Sequence, residues 1–271
     1  MLRRLLPALL VLSILATVGA PTASASGPST TDIARLSRSL ATYLAGLGSR
    51  AGVSVIDFTH DTRYAYNPTG RFIMASTIKV GLAMSAFERS RRTGVPLVAS
   101  EIDRMADMIE WSDNAAATYF YSKVGGARGF AAYLGRIAVT RWAPFARDPS
   151  AWGWSSVNPV TGGRILAKLW LGRAGITSAA RRRILYLMRH VVSSERWGVG
   201  DTAPAGSTVA VKDGWVVGPD GRWAVNSTGI VVAPGHTWIV TIYTRANSGY
   251  TAGVSIVSRI ATLVAAGVMA H

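Results

Sequence analysis

The residues from Arg71 to Lys79 read RFIMASTIK. An apolar run leads into Ser76, and from Ile78 to about Met188 the sequence pattern is mostly helical. Residues three positions apart lie on one face of a helix, so the ammonium of Lys79 can reach the hydroxyl of Ser76. The stretch therefore predicts a serine and its partner lysine at the start of a helix.

A serine followed by a lysine one turn later favours nucleophilic chemistry. A serine hydroxyl is a poor nucleophile until a base removes its proton, and a lysine in apolar surroundings has a lowered pKa and can be that base. The helix N-terminus adds a positive field and backbone N–H groups that can stabilise an oxyanion. Taken alone, S-x-x-K is a weak signal, because an ordinary exposed helix turn carries the same letters.

A second motif, Ser112-Asp113-Asn114, follows a predicted helix that ends at Glu110. Such a string is also common as a helix N-cap with polar neighbours. In chemical terms, we expect Ser112 to pass a proton to the leaving group. Asn114 would orient either the substrate or Lys79.

A third motif, Lys212-Asp213-Gly214, stands at the end of a strand predicted at Thr208 to Val211. By itself it is an unremarkable turn. After the first two motifs it supplies a second cation, Lys212, and a glycine that permits close backbone approach, Gly214. Trp215 follows directly, and we expect it to bind substrate.

The order of predicted elements indicates an α+β fold: an antiparallel sheet flanked by N- and C-terminal helices, with an inserted all-helical domain. The sheet subdomain would take about residues 31–70 plus 205–271, and the helical subdomain about 71–204. The predicted helices and strands are Thr31–Leu47, Gly52–Phe58, Arg63–Tyr66, Glu101–Glu110, Gly162–Leu171, Ser178–Arg189, Thr208–Val211, Arg222–Val232, Thr237–Thr244 and Ala252–Met269.

Together the three motifs make the chain resemble the class A β-lactamases, whose set is S-x-x-K, S-D-N and K-T-G. The similarity extends to Val53–Asp57, to Arg71–Thr77 and to Trp111–Ala117, and it covers roughly residue 31 to the end. The resemblance implies an acyl-enzyme formed on Ser76. It also implies a β-lactam, a cell-wall peptide or a related amide or ester as substrate.

The chain departs from the family in the long loop predicted at Thr140 to Val160. The family carries there a glutamate that activates the water for deacylation. The matching string is Arg141-Trp142-Ala143-Pro144, so an alanine takes the place of the glutamate. Asp148 is the loop's only carboxylate and would replace it only if the loop is re-routed. We therefore expect deacylation to be impaired.

The third motif departs as well, because Asp213 replaces the hydroxyl residue that helps the family bind a substrate carboxylate. An aspartate there would repel an anionic penicillin unless it is paired, for example with Arg222. These departures keep an alternative open, a non-hydrolytic relative that binds a β-lactam or wall peptide in a retained cleft. The intact residues of the first two motifs favour the enzyme.

The N-terminus predicts a secretory signal peptide at residues 1–25, followed by one domain at 26–271. Arg3 and Arg4 precede an apolar run from Leu5 to Val18, and small residues end at Ala25, the expected cleavage site. An uncleaved anchor is the alternative. The chain has no cysteine, so its stability comes without disulfides.

The charge of the chain is strongly positive, with 29 Lys+Arg against 14 Asp+Glu and a formal net charge of +15. The basic residues are dispersed, which disfavours nucleic acid and leaves an anionic cell-wall polymer as a partner. The four histidines are isolated, so we expect no metal and no cofactor. Trp152 and Trp154 are candidates, with Trp215, to line the site. We expect a monomer.

Overall fold

A five-stranded antiparallel sheet forms the centre of the computed structural model, which describes residues 27–270. Numbered along the chain, the strands are β1 (Arg50–Asp57), β2 (Thr62–Tyr66), β3 (Phe72–Ile73), β4 (Ser156–Val157), β5 (Thr208–Val217), β6 (Trp223–Ala233) and β7 (His236–Arg245). The sheet order is β2-β1-β7-β6-β5, while β3 and β4 form a separate pair. Strands from both ends of the chain therefore share one sheet, which confirms the predicted fold class.

Helices cover both faces of this sheet. The helices are α1 (Thr30–Ala45), α2 (Ile78–Thr93), α3 (Ala99–Glu110), α4 (Asn114–Lys123), α5 (Gly126–Arg136), α6 (Pro159–Trp170), α7 (Ser178–Arg189) and α8 (Tyr250–Val268). Of these, α6 and α8 pack on the sheet. Gly162 of α6 packs on Tyr243, which pairs with Asn226, whereas Gly253 of α8 packs on Val225. Neighbouring strand residues point to opposite faces, so α6 and α8 lie on opposite sides of the sheet.

The first and last helices pack together on one side. A capping box between Ser29 and Asp32 begins α1, and its apolar stripe Leu36, Leu40 and Leu44 is buried. By length and composition α8 could cross a membrane. Its buried residues Ile256, Val257, Ile260, Ala261, Val264 and Val268 instead belong to the core between the sheet and α1.

The helical subdomain is organised around α2, whose residues from Ile78 to Ala86 are all buried. A mostly apolar helical stretch with no exposed face, such as this first half of α2, is typical of the centre of a helical bundle. The salt bridge between Glu88 and Arg136, at 2.8 Å, ties its far end to α5. The nucleophile candidate therefore begins a helix that the rest of the subdomain holds in place.

Several boundaries differ from the sequence prediction, and two of them bear on the site. The strand predicted to end at Val211 continues to Val217, so the third motif lies inside β5 and not at its end. The long loop ends at Pro159, where α6 begins one residue after its N-cap Asn158. The predicted signal peptide, residues 1–25, lies outside the described residues.

Candidate active site

Ser76 lies in a 3₁₀ turn, Ala75–Thr77, directly before α2. Ala75 has a φ of 48°, a left-handed conformation that is costly for a residue with a side chain. Asn226 of β6 offsets that cost, because its side-chain amide donates to the carbonyls of Ile73 (2.9 Å) and Met74 (3.1 Å). The backbone before the serine is thus fixed to the sheet.

Gly214 brings β5 against this turn. A Cβ atom built at Gly214 would lie 2.6 Å from the backbone nitrogen of Ser76 and 2.9 Å from that of Thr77. Any side chain would force the strand and the turn apart. The close approach predicted for this glycine is therefore present, and its partner is the backbone of the serine itself.

Lys79 is fully buried one helical turn after Ser76. Its Nζ donates to the Ser112 carbonyl oxygen (2.5 Å), to the Ser112 hydroxyl (3.1 Å) and to Asn114 Oδ1 (2.8 Å). Burial and, after it, repulsion from Lys212 lower the pKa of the Lys79 ammonium to about 7. A substantial neutral fraction then exists near neutral pH, as a general base requires.

The second motif is built as a strained turn with a helix cap. Ser112 has a φ of 57°, and the carboxylate of Asp113 caps α4 by accepting from the N–H of Ala116 at 2.6 Å. Asn114 is the first residue of α4, and its amide oxygen points at Lys79. Asn114 also lines the cavity described below, so both roles considered for it stay predictions.

Lys212 is also fully buried, in the middle of β5. Its Nζ donates to the Ser112 hydroxyl at 3.0 Å and lies 3.6 Å from Oε2 of Glu195. Burial lowers the pKa of Lys212, while the nearby Glu195 and Asp213 oppose that shift. The two buried lysines therefore meet at one serine hydroxyl.

The pairing suggested for Asp213 is wrong. Its carboxylate accepts from the N–H of Trp197 at 2.8 Å, and its β-strand partner is Ser227. Arg222 instead donates to the carbonyl of Ala246, at 2.7 and 3.0 Å. Burial raises the pKa of the Asp213 carboxyl. Because strand neighbours alternate, this side chain lies on the face opposite Lys212, away from Ser112.

A cavity of about 550 Å³ opens in front of Ser76. It is lined by Ala75, Ser76, Ser112, Asn114, Asp148, Ala151, Trp152, Gly153, Trp154, Glu195, Trp215 and Val216. The three tryptophans singled out from the sequence all belong to this wall. Lys79, Lys212 and Gly214 stand behind it, so direct substrate contact by Lys212 or Gly214 stays a prediction.

Aromatic rings dominate two sides of the cavity. On one side, Trp152 lies over the ammonium of Lys79, 5.2 Å from Nζ to the ring centroid, and donates to Thr118 at 3.0 Å. On the other side, Trp215 packs against Trp197 and Tyr250, each with ring centroids 5.4 Å apart. These walls can bind apolar parts of a ligand and exclude water.

The long loop does not bring Ala143 to the cavity. The backbone of Ala143 pairs with that of Ser156 through hydrogen bonds of 2.9 and 2.8 Å. Asp148 does line the cavity, but it is exposed and accepts from the amide and hydroxyl of Ser150. Those hydrogen bonds lower the pKa of Asp148, which makes it a weak base.

Sequence reasoning did not assign Glu195, a charged residue of the wall, to the site. Glu195 belongs to no recognisable motif. It ends a short 3₁₀ turn, Ser193–Glu195, in the connection between α7 and β5. Its place in the site depends on how that segment returns to β5, which no local pattern reports. No group of three or more His, Cys, Asp or Glu in residues 27–270 is placed to hold a metal ion.

The fold and the convergence of Ser76, Lys79, Ser112 and Lys212 define a β-lactamase-like serine enzyme. A family model described as "Beta-lactamase enzyme family" matches residues 35–97 and 99–268. The chain belongs to this family. No curated protein matches it in sequence.

Solved structures of class A β-lactamases share the fold. A representative from Bacteroides cellulosilyticus superposes with a TM-score of 0.75 at 16% identity, covering 88% of this chain and 99% of the other. A β-lactamase from Xanthomonas campestris gives 0.73 at 20% identity, covering 86% and 97%. The TLA-1 extended-spectrum β-lactamase gives 0.77 at 18% identity, covering 87% and 99%. At these identities the likeness concerns the fold alone.

Proposed function

We propose that the protein is a secreted serine hydrolase that is acylated on Ser76 by a β-lactam, a cell-wall peptide or a related amide or ester. The observation that carries this proposal is the buried Lys79, one turn from the serine and with its pKa lowered to about 7. A buried amine of that kind favours catalysis over binding alone. The secretory sequence at residues 1–25 supports export, and the positive charge supports contact with anionic wall polymers.

In the proposed acylation, neutral Lys79 takes the hydroxyl proton of Ser76 while the serine oxygen attacks the carbonyl carbon. The backbone N–H groups where α2 begins and β5 passes are available to stabilise the resulting oxyanion. Ser112 then gives its proton to the leaving nitrogen or oxygen and regains one from the ammonium of Lys79. The hydrogen bonds that Lys79 and Lys212 donate to the Ser112 hydroxyl support this relay.

Hydrolysis of the acyl-enzyme requires a base that deprotonates the attacking water. The residues around the cavity offer only poor candidates for that base. Ala143 is not part of the cavity wall, Asp148 is engaged by Ser150, and Glu195, the other carboxylate of the wall, lies 3.6 Å from the ammonium of Lys212. We propose that deacylation is slow. The same observation favours the second candidate, a relative that holds a ligand without turning it over.

Acylation is tested by treating the protein with a fluorescent penicillin and, separately, with a fluorophosphonate, followed by intact mass and peptide mapping. We expect one adduct, on Ser76, and none in Ser76→Ala. Thr77→Ala is not a suitable control, because Thr77 is bonded to Met74. Ser122→Ala, on the far end of α4, is the matched control and should be labelled like the wild type. An adduct that persists in Ser76→Ala would refute the proposal.

A further inference from the structure

The surface of the cavity has a charge opposite to that of the chain. The chain carries a net charge of +15, yet the residues that line the cavity include two carboxylates, Asp148 and Glu195, and no lysine or arginine. The two lysines of the site are fully buried behind Ser112 and Glu195. An approaching ligand therefore meets carboxylates before it meets an ammonium.

Glu195 holds the place that an anionic ligand group would need. Its Oε2 is 3.6 Å from Nζ of Lys212, and within the described residues this oxygen accepts no hydrogen bond. The other near contact of that ammonium is the Ser112 hydroxyl at 3.0 Å. A ligand carboxylate bound to Lys212 would lie beside Glu195 and would be repelled by it.

We propose that Glu195 is a specificity-determining residue that directs the site toward amides or esters that are uncharged or cationic beside the scissile bond, and against those with a carboxylate there. The proposal rests on the acylation of Ser76 proposed above. Asp213, whose side chain lies on the opposite face of β5, supplies no hydroxyl for such a carboxylate. The aromatic walls of Trp152 and Trp215 suit a ligand whose remaining parts are apolar.

The test compares benzylpenicillin with its methyl ester, which share one scaffold and differ only in the carboxylate. Wild type should be acylated faster by the ester. In Glu195→Gln, a variant of the same shape, the rate for the acid should rise at least about tenfold relative to the ester, because a like charge has been removed. Asp103→Asn, an exposed residue on α3, changes the net charge equally and should leave the ratio unchanged.

Binding to Ser76→Ala, read from tryptophan fluorescence, measures the same preference without acylation. If wild type is not labelled by any reagent but Ser76→Ala binds the ester more tightly than the acid, only the proposed function fails. If the acid reacts or binds as well as the ester, or if Glu195→Gln changes both equally, the role of Glu195 is refuted. Glu195→Ala, checked by thermal melt, gives a second variant should Glu195→Gln fold poorly.

Discussion

The hydroxyl of Ser112 is the point at which two buried cations meet. It accepts hydrogen bonds from Lys79 at 3.1 Å and from Lys212 at 3.0 Å. Both of its acceptor sites are then used, and its own proton can be donated to a third group. Two ammonium groups so close disfavour each other, which is one reason why the pKa of Lys79 falls to about 7. The arrangement therefore produces a base and a proton donor from residues that are neither in isolation.

We predict that the acylation rate follows the deprotonation of Lys79. Its neutral form is the active base, so the rate should rise with pH through about 7 and then level off. Lys79→Ala should lower the labelling rate by a factor of about 10² to 10⁴. The variant should still show a cooperative thermal melt, as a folded protein does. Lys168→Ala, on α6 outside the cavity wall, is the control.

Two measurements decide this prediction. The first is the rate of labelling by a neutral fluorophosphonate at several pH values, and the second is a thermal melt of each variant. A flat pH profile would contradict the assignment of the base. So would a rate for Lys79→Ala within about tenfold of wild type, roughly 1.4 kcal/mol of barrier.

Most of the residues around Ser112 could be predicted from the sequence, because each belongs to a short motif whose spacing fixes local geometry. A serine and a lysine one turn apart on a helix face one another wherever the helix lies. Glu195 could not be predicted, because its position is set by the route of an irregular segment between α7 and β5. The direction of Asp213 was also missed, since the strand was expected to end before it.

At the scale of elements, the long loop between α5 and α6 decides what happens after acylation. It closes on itself through the pairing of Ala143 with Ser156 and through the 3₁₀ turn Trp152–Trp154. The side chain that it presents to Lys79 is the ring of Trp152, not a carboxylate. An aromatic ring can exclude water from the buried amine, but it cannot act as the base that deprotonates a water molecule.

We therefore predict a stoichiometric burst followed by slow release. Without a positioned general base, deacylation should lose a factor of roughly 10² to 10⁴. Asp148→Asn should change the release rate by less than about threefold, because that carboxylate is exposed, bound to Ser150 and weakly basic. Stopped-flow and intact-mass kinetics with a penicillin, or with its methyl ester, measure both phases.

Fast multiple turnover by wild type that disappears in Asp148→Asn would place the base at Asp148. Fast turnover that survives the change would refute slow release altogether. The family pattern alone suggests that Ala143→Glu would restore turnover, but the structure removes the basis for that expectation. Ala143 lies outside the cavity wall, and its backbone is held by the pairing with Ser156.

At the scale of the whole molecule, the site depends on the union of two distant parts of the sequence. Ser76, Lys79 and Ser112 come from the helical subdomain, while Lys212 and Gly214 come from β5. β1, from the N-terminal part, pairs with β7, which joins β6 and then β5. The helix pattern and the strand pattern predicted this union, since the two strands of the N-terminal part need further strands to form a stable sheet.

We predict that Ile260→Ala, at the centre of α8, destabilises the entire molecule and not only the helix. Ile260 is fully buried in the core beneath the sheet, so the change should lower the free energy of unfolding by roughly 2–5 kcal/mol. Thr262→Ala, on the exposed side of the same helix, should change it by less than about 0.5 kcal/mol. Denaturant titrations followed by circular dichroism and by tryptophan fluorescence measure both variants.

A third probe separates global from local unfolding in those titrations. The site joins the sheet to the helical subdomain, so labelling of Ser76 should be lost at the same denaturant concentration as helix and fluorescence signals. A chain of two independent units would instead keep helical signal after labelling is lost, with two transitions. Coincident curves that shift together in Ile260→Ala would show that the core under α8 and the acylation site unfold as one, because the same strands hold both.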